Sequence, residues 1–540
     1  MNHLNGMDAM FLHCESAEMP LHVGSFHVLE LPEGYAGDFY EDVKAFIGER
    51  MHLASVFTRK LANMPFDLSD PVWVEDEDID LEHHIRHVTL PKPGSNRQLE
   101  QTVARLHSSL LDRSRPLWEL YVIDGLRNER EVAFFVKLHH AGMDGQAGIE
   151  MGRAIFDGVP SGRKVKPPRP KLRRNQYQLG VAELAGAAVL NTGRQYIKLA
   201  KMVPDMLRAA RHLLPAKGED GKRNWFLLKP SGLVAPRTPL NVSITNQRSF
   251  AGRTVPMADI KRIAKALEVS FNDVVMATVS GALRRYLKDS EELPGRSMSA
   301  AVPVSLRELG DDTANNQVSM LVMDLVTSEA DPLKRLRRIS SAATQRKASL
   351  NNFKSIIPND FPIFAAPWLI SGLASMYGRS RMADWLPPPS NLVISNVAGI
   401  PAQIYFAGAK VVSYYPVSIP CHGMALNVTV ASYNGRLDYG LIACRRALPD
   451  LNELGDHLLA EHRLLLELAN AQAEAPSEPA KAKAKAAPRP KASPLVKATP
   501  LPKASRPAKA APKAKAKPAP ATTGKASLEQ EPASGTKQAL

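Results

Sequence analysis

Cysteine is scarce in this 540-residue chain, with only Cys14, Cys421 and Cys444. So few, and an odd number, exclude a disulfide scaffold and favour a reducing, cytoplasmic setting. Neither HExxH nor a paired CxxC occurs, so the usual ligand spacings for zinc are missing and no metal is expected. GxSxG is also absent, which removes the commonest serine-hydrolase signature. No apolar run makes a convincing membrane span. The best, residues 361–378, has 18 residues without a charge but includes Pro362, Pro367, two serines and two glycines. A buried or interfacial helix is expected there. The opening MNHLNGMDAMFLHCESAE has neither a basic stretch nor a long apolar core, so no secretory signal is expected.

What is present suits a globular protein with a real core: 44% hydrophobic and 23% charged residues, in a chain long enough for two large domains plus appendages. The net charge of +15 is unevenly placed. Residues 471–540 hold 14 Lys and Arg against 4 Asp and Glu, which leaves only +5 for the first 470 residues. That tail contains 21 Ala and 12 Pro and no aromatic residue. It cannot bury enough apolar area to offset its ordering entropy, so disorder is expected. Its basic groups could meet an anionic lipid surface or nucleic acid, or the tail could be a spacer.

A basic, proline-containing break lies at 161–175 and a further break around 218–239. Between them, 179–214 reads as a basic helix kinked at Pro204, with Leu184, Ala188, Leu199, Met206 and Leu213 at roughly helical spacing. It fits either an anionic lipid surface or the protein's own core. The expected organisation is a first lobe over 1–160, a basic linker and helical crossover over 161–240, a second lobe over 241–470 and the tail over 471–540.

Two strand signals stand out. VAFFV at 132–136 follows LWELYVIDGL and a polar turn. Later, Asn434-Gly435 separates two alternating runs, which favours a two-residue hairpin turn with positive φ. Helical stretches at 257–267 and 272–287 lie between them, so a mixed α/β chain in two lobes is expected.

The segment KLHHAGMDGQAG, residues 137–148, carries the chemistry. It places His139 and His140 at a strand end, where a sheet fixes side chains at a cleft, and Asp144-Gly145 at the turn into a helix. Neighbouring strand residues point to opposite faces. One histidine can therefore face a cleft while the other packs or braces the loop. An imidazole can take a proton from a hydroxyl near neutral pH. Asp144 could orient a histidine or pin the loop to an arginine. A purely structural pair is the competing reading. A second pair, His83-His84, sits in EDEDIDLEHHIRH beside an acidic run, with no Asp-Gly turn after it, and reads as solvated or ion-paired.

HHAGMDG fits the pattern HHxxxDG of the coenzyme-A-dependent acyltransferase and condensation superfamily. Other segments narrow the resemblance. LNGMDAMFLHCESAEMPLHVGSFHVLEL, PVWVEDEDIDLEHHIRHVTLPKPG, PLWE, FNDVVMATVSGALRRYL, VPVSLRELGDDTANNQ, SNLVISNVAGIP and LNVTVASYNGRLDYGL occur in that order. Together they resemble bacterial wax ester synthase/diacylglycerol acyltransferases from the first residue to about 470, and not in the tail.

The resemblance implies two lobes like chloramphenicol acetyltransferase with an active-site tunnel between them. It implies acyl transfer from long-chain acyl-CoA, a co-substrate and not a bound cofactor, to a diacylglycerol or a fatty alcohol. It implies His140 as general base, His139 as its support, Asp144 as loop-structuring and Gly145 as the turn. Asn272 is a candidate oxyanion donor, with helix capping as the alternative. Arg307 could meet a carboxylate or a coenzyme phosphate. A peripheral position on the cytoplasmic membrane face and lipid inclusions follows from such substrates. The alternatives are a non-catalytic inclusion coat protein and a condensation-type enzyme with another acceptor.

Overall fold

The structure, a computed structural model, describes residues 2–4, 6–62, 70–143, 145–167, 234–305, 318–353 and 367–474. The first half of the chain forms β1 (Asn2–His3), α1 (Gly6–Cys14), β2 (His22–Glu30), α2 (Phe39–Arg50), β3 (Arg59–Ala62), β4 (Val72–Glu75), α3 (Leu81–His84), β5 (Ile85–Thr89), α4 (Asn96–His107), β6 (Trp118–Asp124), β7 (Glu131–His139) and α5 (Gly145–Ile155).

The second half forms β8 (Arg248–Pro256), α6 (Met257–Ala266), α7 (Phe271–Asp289), β9 (Ser299–Ser305), β10 (Val318–Asp324), α8 (Pro332–Phe353) and α9 (Pro367–Arg379). It continues with β11 (Leu392–Ile400), β12 (Tyr405–Phe406), β13 (Ala409–Val411), β14 (Tyr415–Val417), β15 (Leu426–Tyr433), β16 (Arg436–Cys444) and α10 (Leu451–Glu474).

Two large sheets organise these elements into two lobes. One runs β12-β13-β2-β7-β6-β5, with β14 also on β2; the other runs β10-β9-β11-β15-β16-β8. A small third sheet is ordered β1-β4-β3.

β7 is covered on both faces, which is why EVAFFVKLH reads as a nearly continuous apolar run. Phe134, Val136 and Leu138 join Trp118, Leu120 and Phe406 on one side. Ala133 and Phe135 join Leu99, Val103 and Tyr121 on the other. α4 supplies that second cover. Its start is fixed by a capping box between Ser95 and Gln98, and its apolar stripe of Leu99 and Val103 faces the sheet. In the second lobe, Val274 and Leu283 of α7 and Leu458 and Leu465 of α10 bury Leu437, Tyr439 and Leu441 of β16. Each such fully buried side chain contributes about 1.5–3 kcal/mol.

The hairpin β15–β16 turns at Asn434 and Gly435, whose φ angles of 41° and 77° are both positive, as the Asn-Gly signal requires. The sheets, however, do not divide the chain at residue 240. β13 and β14 add to the free edge of β2, pairing Val411 with Leu29 and Tyr415 with Phe26. Phe406 then stacks on Phe134 at 4.3 Å. Where the two sheets meet, a Cβ on Gly440 would lie 1.7 Å from the Pro416 carbonyl oxygen, so only glycine fits.

Two local expectations are corrected. The last helix runs on through 471–474, beyond the expected start of the tail, because Ala, Gln and Glu are good helix formers and Pro476 comes only after them. His84 is neither solvated nor ion-paired. It is buried, stacked on Trp118 at 4.3 Å, with Nδ1 2.8 Å from the Trp118 carbonyl oxygen. Of the acidic run, Asp80 caps α3 by accepting from the Glu82 and His83 amides, while Glu75 and Asp76 pair with Arg59 and Lys60.

The helix expected at 179–214, residues 361–366 and the tail from 475 lie outside the described residues. Among those described, no helix is long and apolar enough to cross a membrane.

Candidate active site

β7 ends at His139, and His140–Gly142 form a single 3-10 turn before α5 begins at Gly145. The turn is pinned at both sides: His139 N–H donates to the Leu117 carbonyl at 3.0 Å, and His140 N–H to that of Leu21 at 2.9 Å. The side chain of His139 is buried and its Nδ1 accepts from the Ala141 amide at 3.1 Å. A backbone N–H can only donate, so Nδ1 carries the lone pair. In the neutral ring the proton then sits on Nε2.

That Nε2 lies 3.3 Å from Glu15 Oε1. Glu15 is the centre of a buried polar cluster. Its side chain is only 4% exposed. Oε1 accepts from the Leu21 amide at 3.2 Å and lies 3.2 Å from His22 Nε2. Oε2 takes two bonds from Arg113, at 2.7 and 3.0 Å. The two imidazole contacts are close but poorly aligned for hydrogen bonding, so they act mainly as charge–dipole contacts. Burial alone would raise the Glu15 pKa. The contacts with His139 and His22 outweigh it and hold the carboxyl well below its usual range. His22 enters this cluster through strand register, since β2 pairs His22 with His139.

His140 points into different surroundings. Its ring stacks on Phe11 of α1, with centroids 4.0 Å apart and 14° between planes. Nδ1 is buried and, among the described residues, has no hydrogen-bond partner. Ala141, Leu117 and Leu12 form an apolar cluster beside it, with Phe11 and Trp73 packed on it. Burial pushes the His140 pKa down to about 4, so the imidazole is neutral at physiological pH.

Two residues back along β7, Lys137 is fully buried. Its Nζ meets Glu119 Oε2 at 2.6 Å and the Leu106 and Ser109 carbonyls at 3.2 and 3.0 Å. Burial lowers its pKa, opposed by Glu119. This pair is a support beneath the strand end.

The structure thus gathers His139, His140 and Gly145 at one strand end. Asp144 and Arg307 lie outside the described residues. Asn272 is exposed in the first turn of α7, where its Oδ1 accepts from Asn396 Nδ2 of β11 at 2.7 Å. It does not cap the helix. Ser270 does, in a capping box with Asp273. Sequence reasoning missed Glu15, His22, Arg113 and Phe11. The quoted opening segment held three of them, but only the folded register shows that they converge.

Comparison with known proteins shows the family. The family model for the wax ester synthase/diacylglycerol acyltransferase catalytic domain matches residues 4–275, and the model for the C-terminal domain of that family matches 314–465. A protein named as a diacylglycerol O-acyltransferase in Mycobacterium tuberculosis is 35% identical over 456 residues, covering 84% of this chain and 97% of its own. The O-acyltransferase WSD of Acinetobacter baylyi is 32% identical over 468 residues, covering 86% and 97%. The solved wax ester synthase/diacylglycerol acyltransferase of Marinobacter aquaeolei superposes with a TM-score of 0.62 at 30% identity, covering 86% of this chain and 99% of that one. A starter condensation domain of rhizomide synthetase, at 12% identity and a TM-score of 0.50, shares the fold. With His139 and His140 on a braced strand end, and both family domains matched in order, the chain belongs to the wax ester synthase/diacylglycerol acyltransferase family of O-acyltransferases.

Proposed function

We propose that this O-acyltransferase moves a long-chain acyl group from acyl-CoA to the hydroxyl of a diacylglycerol or a long-chain fatty alcohol, with His140 as general base. The observation that carries the reading is a half-buried imidazole stacked on Phe11, its Nδ1 without a hydrogen-bond partner among the described residues, on a turn whose neighbour His139 is held by Ala141 and lies against Glu15.

An alcohol is a poor nucleophile at neutral pH, so its proton must leave as attack proceeds. His140 is already in its accepting form. Its low basicity disfavours imidazolium before the reaction begins, but negative charge develops on the thioester oxygen and then on sulfur as the reaction proceeds. That charge stabilises the protonated ring at the moment it forms. The thiolate is a good leaving group, so direct attack in a ternary complex suffices, and His140 returns the proton to sulfur. Glu15 and His139 act as positioning residues beneath this turn. Asp144 is assigned to holding the loop and Gly145 to the turn.

Asn272 remains the proposed oxyanion donor. Its Oδ1 is taken by Asn396, which leaves its amide N–H groups to donate. Arg307 is assigned to the coenzyme. Donor and acceptor are proposed to meet in a tunnel between the lobes, and the enzyme to work at the cytoplasmic face of the membrane and at lipid inclusions.

The test uses purified protein with labelled palmitoyl-CoA, offering diacylglycerol and hexadecanol separately. Both activities should fall about two to four orders of magnitude in His140→Ala. Near-normal turnover in that variant, with loss in His139→Ala, would reverse the assignment.

A further inference from the structure

The helix that supports His140 has a second face that the chemistry does not use. On α1, Ala9 and Leu12 are buried, while Met7 and Met10, three residues apart, are 40% and 44% exposed. α1 lies beside α9, joined where His13 Nδ1 meets Ser371 Oγ at 3.2 Å. α9 is inverted in the same sense. Tyr377 and Gly378 face His422. Leu373 and Met376, again three apart, are 52% and 53% exposed. Just beyond the end of α9, Trp385 is 63% exposed.

An amphipathic helix normally buries its apolar stripe. Two neighbouring helices that leave theirs open, with an exposed tryptophan beside them, mark a contact surface. At the α9 end the rim of that surface is cationic, while α1 carries Asp8 in its first turn. Arg379 continues the exposed α9 face, and Arg381, 62% exposed, follows two residues later. Asp384 offsets part of this charge through its pair with Arg381 at 2.6 Å. Methionine and leucine flanked by arginine and tryptophan is the composition of a segment lying in a lipid interface. A second copy of this chain would bring the same arginines to the contact, whereas an anionic lipid layer supplies the opposite charge.

We propose that the outer faces of α1 and α9, with Trp385, are the surface on which this protein docks to an anionic lipid layer. The idea deepens the acyltransferase reading and rests on it for its purpose. Phe11, on the inner side of α1, touches His140, so the docked face lies one helix away from the reacting imidazole. A lipid acceptor would have that short path to travel from the layer to the base.

The test is sedimentation of the full-length protein with phosphatidylglycerol/phosphatidylcholine vesicles at about 0.5 M salt, which screens long-range attraction by the basic tail. The double substitution Leu373→Glu, Met376→Glu alters only exposed positions. It should weaken vesicle partition on the order of 100-fold, from lost apolar burial at two side chains and two charges facing an anionic layer. Turnover on a short, water-soluble alcohol should stay unchanged. Trp emission should shift to the blue on vesicle binding in the parent and not in Trp385→Phe. Equal partition of the parent and the double variant overturns the proposal. So does a stable dimer without vesicle affinity that the double variant splits, since the ridge would then be a self-interface. Vesicle binding of the expected kind in a protein inactive on every alcohol supports the docking surface and defeats the acyl-transfer reading instead.

Discussion

Replacing Glu15 by glutamine removes one charge from the cluster beneath His140 at almost constant volume. The magnitude follows from counting donors. The carboxylate oxygens accept three hydrogen bonds, one from Leu21 and two from Arg113, and also face the Nε2 positions of His22 and His139 at 3.2 and 3.3 Å. A glutamine side chain offers one oxygen and one NH2, so on one side donor must meet donor. Breaking a buried ion pair costs about 3–5 kcal/mol when both partners are sealed from water. Arg113 is 45% exposed and can recover part of its hydration, so the cost is lower, roughly 2–4 kcal/mol. In a fold of this size that lowers the melting midpoint by roughly 2–4 °C. His139 also loses the partner of its Nε2 proton, so the turn that aims His140 loosens. Turnover should fall about 10–100-fold with little change in the KM for acyl-CoA, the effect of small misplacement and not of a lost base. Thermal melts and steady-state kinetics at pH 7 measure both. If Glu15→Gln melts with the parent and turns over at the parent's rate, the bracing argument is wrong.

Two further outcomes are expected. Burial lowers the pKa of His27 to about 3 and of His140 to about 4, and depresses His22 and His107 as well. The unfolded chain takes up protons near pH 6.5 while the folded one does not, so this stability is complete above pH 6.5 and drains as pH falls. His27 alone should forfeit roughly 2–3 kcal/mol by pH 4.5, and melting midpoints that stay level between pH 6.5 and 5.5 would contradict this. Truncation after Pro476, the end of the compact unit and beyond the matched family domains, should leave turnover on a soluble alcohol intact; loss of folding would show that the tail contributes to the core.

Legibility in the sequence followed the range of the interactions. VAFFV, the hairpin at Asn434-Gly435 and the helix after Ser270 depend on near neighbours, and each forms where local chemistry puts it. The histidine pair was visible because the strand end and the motif coincide within a few residues. Glu15 was not visible. In CESAE it looks like any loop carboxylate, and its partners His139 and Arg113 are about a hundred residues away. His84 was misread for the same reason, since the acidic residues before it gave no hint of Trp118 stacked on its ring. The helix cap at Ser270, for which Asn272 was considered only as an alternative to its oxyanion role, was a local signal in plain view: Ser270 and Asp273 have the spacing of a capping box.

The strands β13 and β14 have a consequence for how the molecule is made. β2 leaves the ribosome early and finds β7 on one side about a hundred residues later, but its other edge is closed only by residues 409–417. At about 5–20 residues per second, that edge waits roughly 20–80 s with its backbone groups unpaired and Phe26 and Leu29 incompletely covered. An open apolar edge is a template for the wrong partner, so slow synthesis or a stalled chain exposes this protein to aggregation in its first lobe. A fragment cut at residue 240 would carry the histidine pair yet never gain the strands that close its sheet. The first long strand of the chain is finished only when nearly four-fifths of the sequence has been made.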